Sequence, residues 1–353
     1  MIEIAGDVLE GGGQIVRTTI ALAALLAKEV RVTRIRSKRP KPGLQAQHLT
    51  AVRAVAAISN AETEGLTIGS QTLEFRPRGR AAGRFTLDVG TAGSIPLVLQ
   101  AIMPAATYAP SRVEFELTGG TDVPWSPTID YLRLAELPIL QLMGYRATFS
   151  VDRRGHYPKG GGHVEAIIEP AKTLQAIRLI ERGSPIGVDG ISHCVKLPSH
   201  VALRQAAAAK QTLEMSGVEE VNVAIEAYTP GKDPHAAPGS SITLAMRFPN
   251  GVVLGSDSLG ERGKPAERVG EEAATDLLAE FKSTATVDRH MGDILIPYMA
   301  VASGQSEIRV SEITTHILTN INVTETLAGV KFKVQGELNG PGAITAEGIG
   351  LRT

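Results

Sequence analysis

The succession β-loop-α-β-loop-α-β-β can be read twice in a row along this chain. A sequence that repeats a unit of this kind folds as packed copies of one supersecondary motif. In the first copy, residues 3–5 read as a short strand, the loop GDVLEGGGQ follows, and 14–26 carry an apolar helical pattern. Residues 30–36 read as a strand, and the Pro/Gly loop RPKPG leads into a helix over 45–59. Short alternating strands are expected at 66–68 and 73–75. In the second copy, Phe85, Leu87 and Val89 alternate as a strand. The loop GTAGS then opens a helix with Ser94 as its cap and Pro96 in its first turn. Val113, Phe115 and Leu117 form the next strand, and GGTDVPWSP starts a helix that ends near Gly144. Strands at 147–151 and 164–168 close the unit. The spacing between copies is about 80 residues, long enough for each to bury one helical face.

A third copy is legible but interrupted. It has a helix near 288–302, a strand at 307–310, the loop SEITT, a helix from His316, and strands at 330–334 and 343–347. Between the second and third copies, 183–282 holds strands of its own at 221–225, 242–246 and 252–255. It also holds an Ala-rich helix after His200 and another over 266–281. The expected fold is therefore α/β (α+β), with three β-α-β-α-β-β units about a pseudo-threefold axis. Residues 1–182 and 283–353 would form this body and 183–282 an inserted α+β domain, since loop-closure entropy grows slowly with insert length.

Composition narrows the class. The chain has 353 residues, 43% hydrophobic and 21% charged, enough for a sizeable soluble core. No apolar run approaches the roughly 20 residues that span a bilayer. The start MIEIAGDV lacks a basic and apolar leader, so a cytoplasmic location and no membrane partner are expected. The single cysteine, Cys194, excludes an internal disulfide and a cysteine-cluster metal site and is expected to be a small buried residue. Net charge is −1, so the whole-protein field does not call for a polyanion. The charge is uneven, however. Lys28, Arg31, Arg34, Arg36, Lys38, Arg39 and Lys41 crowd one stretch against Glu29 alone.

Beside that stretch stand the residues with chemical meaning. The triplet Gly11–Gly13 directly precedes a helix, where free backbone N–H groups and the dipole favour phosphate. The second triplet, 160–162, reads as tight-turn glycine. Neither a Walker A sequence nor GxGxxG occurs, and the KxDG motif of lysine-dependent nucleotidyl ligases is missing. Glu10 offers a hard carboxylate oxygen to a divalent cation, and Gln14 and Arg17 share one helical face. Arg36 and Arg39 flank a proline-stiffened loop, with Gln47 and His48 in the first turn of the next helix. The equivalent loop of the second copy carries Trp125 and Pro127, and that of the third carries His316. If the copies pack symmetrically, these loops converge. A histidine in a helix first turn is held neutral by the dipole and is then a nucleophile.

The segments EGGGQIVR, IRSKRPKPGLQAQHL, GTAGS, GGTD, YPKGGG, LGERG and THILTN, in this order and over essentially the whole chain, resemble the motif set of the RNA 3′-terminal phosphate cyclase family. The resemblance implies three such repeats plus a smaller inserted domain. It implies ATP and a divalent cation (Mg or Mn) as cofactors, and RNA with a 3′-terminal phosphate as partner. His316 is similar to the histidine that is adenylated with loss of pyrophosphate. AMP then passes to the RNA 3′-phosphate, and the neighbouring 2′-OH displaces it to leave a 2′,3′-cyclic phosphate. Glu10 resembles the metal-associated carboxylate. Gln14, Arg17, Arg36, Arg39, Gln47, His48 and Gln100 resemble phosphate and nucleotide contacts, and Pro127 a residue packed on adenine. Two positions depart from the pattern. His290 stands for the tyrosine expected to stack on adenine, and Ile294 for a glutamine, while Asp293 is kept. His156, His163, His193, His200 and His235 fit no partner pattern and read as structural or exposed. Two other readings compete: a non-catalytic RNA-binding relative in ribosome assembly, which would not need His316, and an enolpyruvyl-type transferase with a different repeat count.

Overall fold

The computed structural model describes residues 1–229 and 231–352. The first unit is β1 (Ile2–Ala5), α1 (Gly13–Leu25), β2 (Val30–Thr33), α2 (Ala46–Ser59), β3 (Glu62–Glu64) and β4 (Leu73–Arg76), its sheet ordered β1-β2-β4-β3. The second is β5 (Gly83–Asp88), α3 (Ile95–Ala106), β6 (Val113–Gly119) and a broken helical segment, then β7 (Arg146–Arg153) and β8 (Gly162–Glu169). The broken segment comprises α4 (Ile129–Tyr131), a π-helical turn (Leu132–Glu136) and α5 (Leu137–Leu142). This sheet is ordered β5-β6-β8-β7.

The third unit begins with the two-residue β9 (Arg178–Leu179). The chain then leaves to build β10 (Gly187–Val195), α6 (His200–Met215), β11 (Val221–Ala227), β12 (Gly239–Arg247), β13 (Val253–Leu259) and α7 (Ala266–Lys282). These strands form a sheet of their own, β11-β10-β12-β13. The third unit resumes with α8 (Arg289–Ile294), α9 (Ile296–Val301), β14 (Ser303–Val310), α10 (Thr315–Ala328), β15 (Phe332–Gly336) and β16 (Gly342–Ile349), ordered β15-β16-β14-β9. In each unit the first two strands pair parallel across a helical crossover and the rest pair antiparallel. One connectivity thus recurs three times.

Several expected elements differ. The strand expected over 30–36 ends at Thr33, since Arg34 and Arg36 take φ of 51° and 50°, and the helix expected to end near Gly144 is broken by the π-helical turn. The strand expected at 66–68 lies at Glu62–Glu64 instead. Gly65 and Gly69 take φ of 78° and turn the chain between them, leaving Ile68 exposed. β10 has no expected counterpart, because GVDGISHCV mixes glycine and polar residues through a strand paired on both sides. The helix expected over 288–302 is two helices, since Pro297 has no N–H to give the carbonyl of Asp293. That carbonyl instead accepts the Asn320 side-chain amide at 2.8 Å, which ties α8 to α10.

The helices explain where the site sits. α1 packs on α2, α3 and α10, burying Ile15, Ile20, Leu22, Val52, Val55, Leu99, Ile102 and Ile317. Each such side chain contributes about 1.5–3 kcal/mol on burial, so the relative placement of these four helices is strongly fixed. Among the described residues, no helix is long and apolar enough to cross a membrane.

Candidate active site

Close packing brings the starts of these helices together. Gly12 is the N-cap of α1, and a Cβ there would lie 2.0 Å from Glu10 Oε2. A Cβ on Gly13 would lie 2.0 Å from His48 Nε2. The glycines therefore make room for a carboxylate and an imidazole against the opening turn of α1, whose N-cap has no side-chain hydrogen bond. His48 sits in the first turn of α2, its Nδ1 accepting from the Gln45 N–H at 3.0 Å. Burial, with Arg17 and Arg36 nearby, drives its pKa down to about 3, so it is neutral at any working pH.

His316 opens α10, where the Thr314 hydroxyl accepts from the Ile317 N–H at 3.1 Å. Its Nε2 lies 3.8 Å from Glu10 Oε1, and its side chain is about half exposed. Gln14 reaches across from α1, donating to the His316 carbonyl at 3.2 Å and to Asp293 Oδ2 at 2.7 Å. Asn320, one turn beyond His316, donates to the Asp293 carbonyl and accepts from Thr18 at 2.7 Å. Burial pushes the Asp293 carboxyl up to about 6, against the opposing pull of His316, His290 and Arg17. Burial likewise lowers Arg17 to about 10, still charged at neutral pH. Burial also lowers His316. Asp293 works the other way, while Arg17, His290 and Arg39 add to the drop. The imidazole is thus held neutral with a ring nitrogen free.

Gln14, Arg17, Gln100, Asp293 and Ile294 line one small cavity of about 40 Å³, together with Glu136. Gln100 donates to Glu136 at 3.3 Å, and burial raises that carboxyl to about 8, so it is protonated at pH 7. Gln47 lies farther along, accepting from the Ser94 N–H at 2.9 Å and so joining the starts of α2 and α3. Ser94 Oγ is 2.5 Å from Ser126 Oγ, which brings the loop of Trp125 and Pro127 against α3. Trp125 stands in solvent, with φ of 61°. His290 is exposed on α8, edge-on to Tyr131 with ring centroids 6.2 Å apart.

The basic stretch is mostly engaged within the fold. Arg36 donates to the carbonyls of Lys41 and Gly43 at 2.6 and 2.9 Å, bracing its own loop. Arg34 pairs with Asp7 and Arg31 with Glu74, and Lys28 donates to the Leu327 carbonyl. Arg39 pairs with the Glu10 carboxylate and donates to its carbonyl. Glu10 keeps Oε2 buried with no partner. An orphaned carboxylate oxygen beside a neutral imidazole and an arginine suits a hard divalent cation shared with phosphate.

The family model described as RNA 3′-terminal phosphate cyclase matches residues 8–334. The chain belongs to the RNA 3′-terminal phosphate cyclase family. Proteins carrying that name in Hyperthermus butylicus and Ignicoccus hospitalis are 49% and 47% identical over 355 and 350 residues. They cover 99% of this chain in each case, and 98% and 99% of the relatives. One from Methanopyrus kandleri is 45% identical over 344 residues, 98% of either chain. A solved EPSP synthase from Acinetobacter baumannii overlaps at a TM-score of 0.30 with 14% identity, covering 99% of this chain and 65% of its own. That likeness is too weak to bear on the fold.

In this cyclase-family chain, sequence reasoning passed over Asn320, Thr18 and Glu136. Each left a signal. Thr18 and Asn320 are polar residues on the packed faces of α1 and α10, and Glu136 interrupts the largely apolar run LRLAELPIL, where its π-helical turn turns it inward.

Proposed function

We propose that this protein converts an RNA 3′-terminal phosphate to a 2′,3′-cyclic phosphate at the expense of ATP, with His316 as nucleophile. The observation that carries this reading is the meeting of helix starts around a neutral, half-exposed imidazole. The opening turn of α1, whose N-cap has no side-chain hydrogen bond, meets that of α2 where Gly13 faces His48 and that of α10 where Gln14 reaches the His316 carbonyl, with Arg17 and Arg39 adjacent. Such a surface favours a polyphosphate and places its phosphorus before a lone pair.

In the proposed sequence, the His316 lone pair attacks the α-phosphorus of ATP, the α–β P–O bond breaks, and pyrophosphate departs. An oxygen of the RNA 3′-phosphate attacks the same phosphorus, and the P–N bond breaks to return neutral His316. The vicinal 2′-OH then attacks the 3′-phosphate, loses its proton to solvent and expels AMP. Gln14 holds the His316 backbone and Asp293 in fixed relation, which fixes the point from which the ring projects. Arg17 and Arg39 offset charge on the phosphates. Glu10, through Oε2, would hold a divalent cation, which when bound neutralises charge on the leaving pyrophosphate. Gln47, Gln100, His48 and Arg36 would contact the nucleotide and its phosphates, and Pro127 and His290 would border the base. In this reading residues 183–282 form an inserted domain separate from the three-unit body.

The test is incubation of purified protein with ATP, Mg²⁺ and a 3′-phosphorylated RNA. The expected product resists phosphatase until acid opens its ring. A phosphatase-labile end after incubation with ATP would overturn the reading.

A further inference from the structure

Three histidines that sequence reasoning set aside come together away from His316, where the β5–β8 sheet meets the β10–β13 sheet. Asp122 follows β6, His156 lies in the turn between β7 and β8, and His193 is on β10. All three are at most 6% exposed. His156 Nε2 and His193 Nε2 are 3.0 Å apart, His193 Nε2 and Asp122 Oδ2 are 3.8 Å apart, and one ligand atom from each residue lies within 4.8 Å of the others. Tetrahedral zinc with bonds near 2.0–2.1 Å sets its ligands about 3.3 Å apart, so these two separations lie within about half an ångström of that spacing.

The surroundings are those of ligands held in place. Ser241 Oγ is 3.2 Å from His193 Nδ1 and donates to Asp122 Oδ1 at 3.1 Å, which leaves His193 Nε2 as the outward-facing nitrogen. Thr121 donates to Asp122 Oδ2 at 2.6 Å. Gly239 on β12 lies so close to His156 that a Cβ there would stand 2.1 Å from its Cγ, so the ring has one place to be. His235, 2% exposed, forms a hydrogen-bonded pair with Asp233 through Nδ1 at 2.7 Å, and its buried Nε2 has no partner among the described residues. It borders the cluster and is not one of the three residues whose ligand atoms share it. Charge points the same way. Asp122, Asp130 and Glu226 gather on the fully buried Arg154, with only the half-exposed Arg133 to share Asp130, so the cluster carries an excess of negative charge.

We propose that Asp122, His156 and His193 form a binding site for a zinc-class divalent cation that fastens the β10–β13 sheet to the body, with water as the fourth donor and His235 at its border. Nitrogen-rich donors separate this site from the oxygen-only Glu10. A cation here replaces the single shared proton between the two Nε2 atoms and lets both imidazoles act as acceptors.

The experiment uses the full chain, stripped with a chelator, dialysed and titrated with Zn²⁺ against a competing chromophoric chelator, with bound metal counted by mass spectrometry. One equivalent per chain is expected, together with a rise in Tm that the chelator reverses. His193→Gln and Asp122→Asn should each weaken binding at least 100-fold, and His235→Ala far less. Glu10→Gln should bind one equivalent with unchanged affinity. Failure of the stripped wild-type chain to hold Zn²⁺ overturns the proposal without recourse to any variant. So does wild-type affinity in His193→Gln, or loss of the equivalent in Glu10→Gln.

Discussion

Replacing Asp293 by asparagine should make the protein more stable at neutral pH and less active. Burial raises this carboxyl from an ordinary 3.8 to about 6. Because the folded-state pKa is the higher one, the protonated group favours the fold. That contribution is complete below pH 3.8 and is lost as the pH rises through 6. The shift of about 2 units corresponds to about 3 kcal/mol carried as a burden at pH 7.5. Partial exposure of Asp293 and the imperfect partners of a neutral amide reduce the expected gain to about 1–2 kcal/mol. Asparagine keeps an acceptor for Gln14, which donates at 2.7 Å in the wild-type chain, but it removes the charge facing Arg17 and His316. Urea denaturation of both proteins at pH 4.5 and 7.5 measures the effect. The variant's advantage should grow by about 1–2 kcal/mol between the two pH values, while single-turnover adduct formation falls at least tenfold. A stability gap that stays constant with pH would show that Asp293 ionises normally, and the account of a strained carboxylate beside His316 would be refuted.

Other consequences can be tested with ordinary variants. Gly13→Ala drives a Cβ into His48 Nε2 and should cost about 1–3 kcal/mol with a large loss of activity, whereas Gly79→Ala, whose Cβ would meet only the Asn60 side chain at 3.4 Å, should not displace any neighbour. Thermal melts and turnover of the two compared with wild type decide whether the glycine is needed for room. Arg39→Ala should weaken competition binding of a phosphate-ended RNA far more than that of the same RNA with a 3′-hydroxyl. Equal losses would indicate general backbone attraction, which responds to salt and not to the end group. His290→Tyr with Ile294→Gln should raise the ATP-to-GTP ratio of adduct-formation rates, because stacking accepts any base and edge hydrogen bonds do not. An unchanged ratio would assign base reading to other groups.

Much of the fold was legible because it depends on periodicities the sequence carries openly. The helices that became α1, α2, α3 and α10 follow 3.6-residue apolar patterns with clear turn punctuation, and the expected limits of α1 and α2 and the expected starts of α3 and α10 fall within a residue or two. β10 was not legible, since a strand paired on both sides gains its place from neighbours and not from its own alternation. In the proposed site, His316 and Glu10 could be singled out from their loops, and Asp293 only from the motif resemblance. The reason for Gly12 and Gly13 lies in contacts with Glu10 and His48, which no linear reading shows. Arg36 looked like a phosphate ligand by charge density, yet its guanidinium is committed to carbonyls of its own loop. The histidines at 156, 193 and 235 are separated by roughly forty residues each and have no motif. Only the packing of two sheets brings them together.

The central claim is that His316 forms the covalent bond to AMP. Wild-type protein incubated with α-labelled ATP and Mg²⁺, without RNA, should take up label that survives mild base and is released by acid, as a phosphoramidate is. Peptide mapping should place the label on His316. His316→Ala, verified as folded by its circular dichroism spectrum, should take up none. Label of the same stability on His316→Ala, or on His290 or His48 in the wild-type chain, would contradict the account.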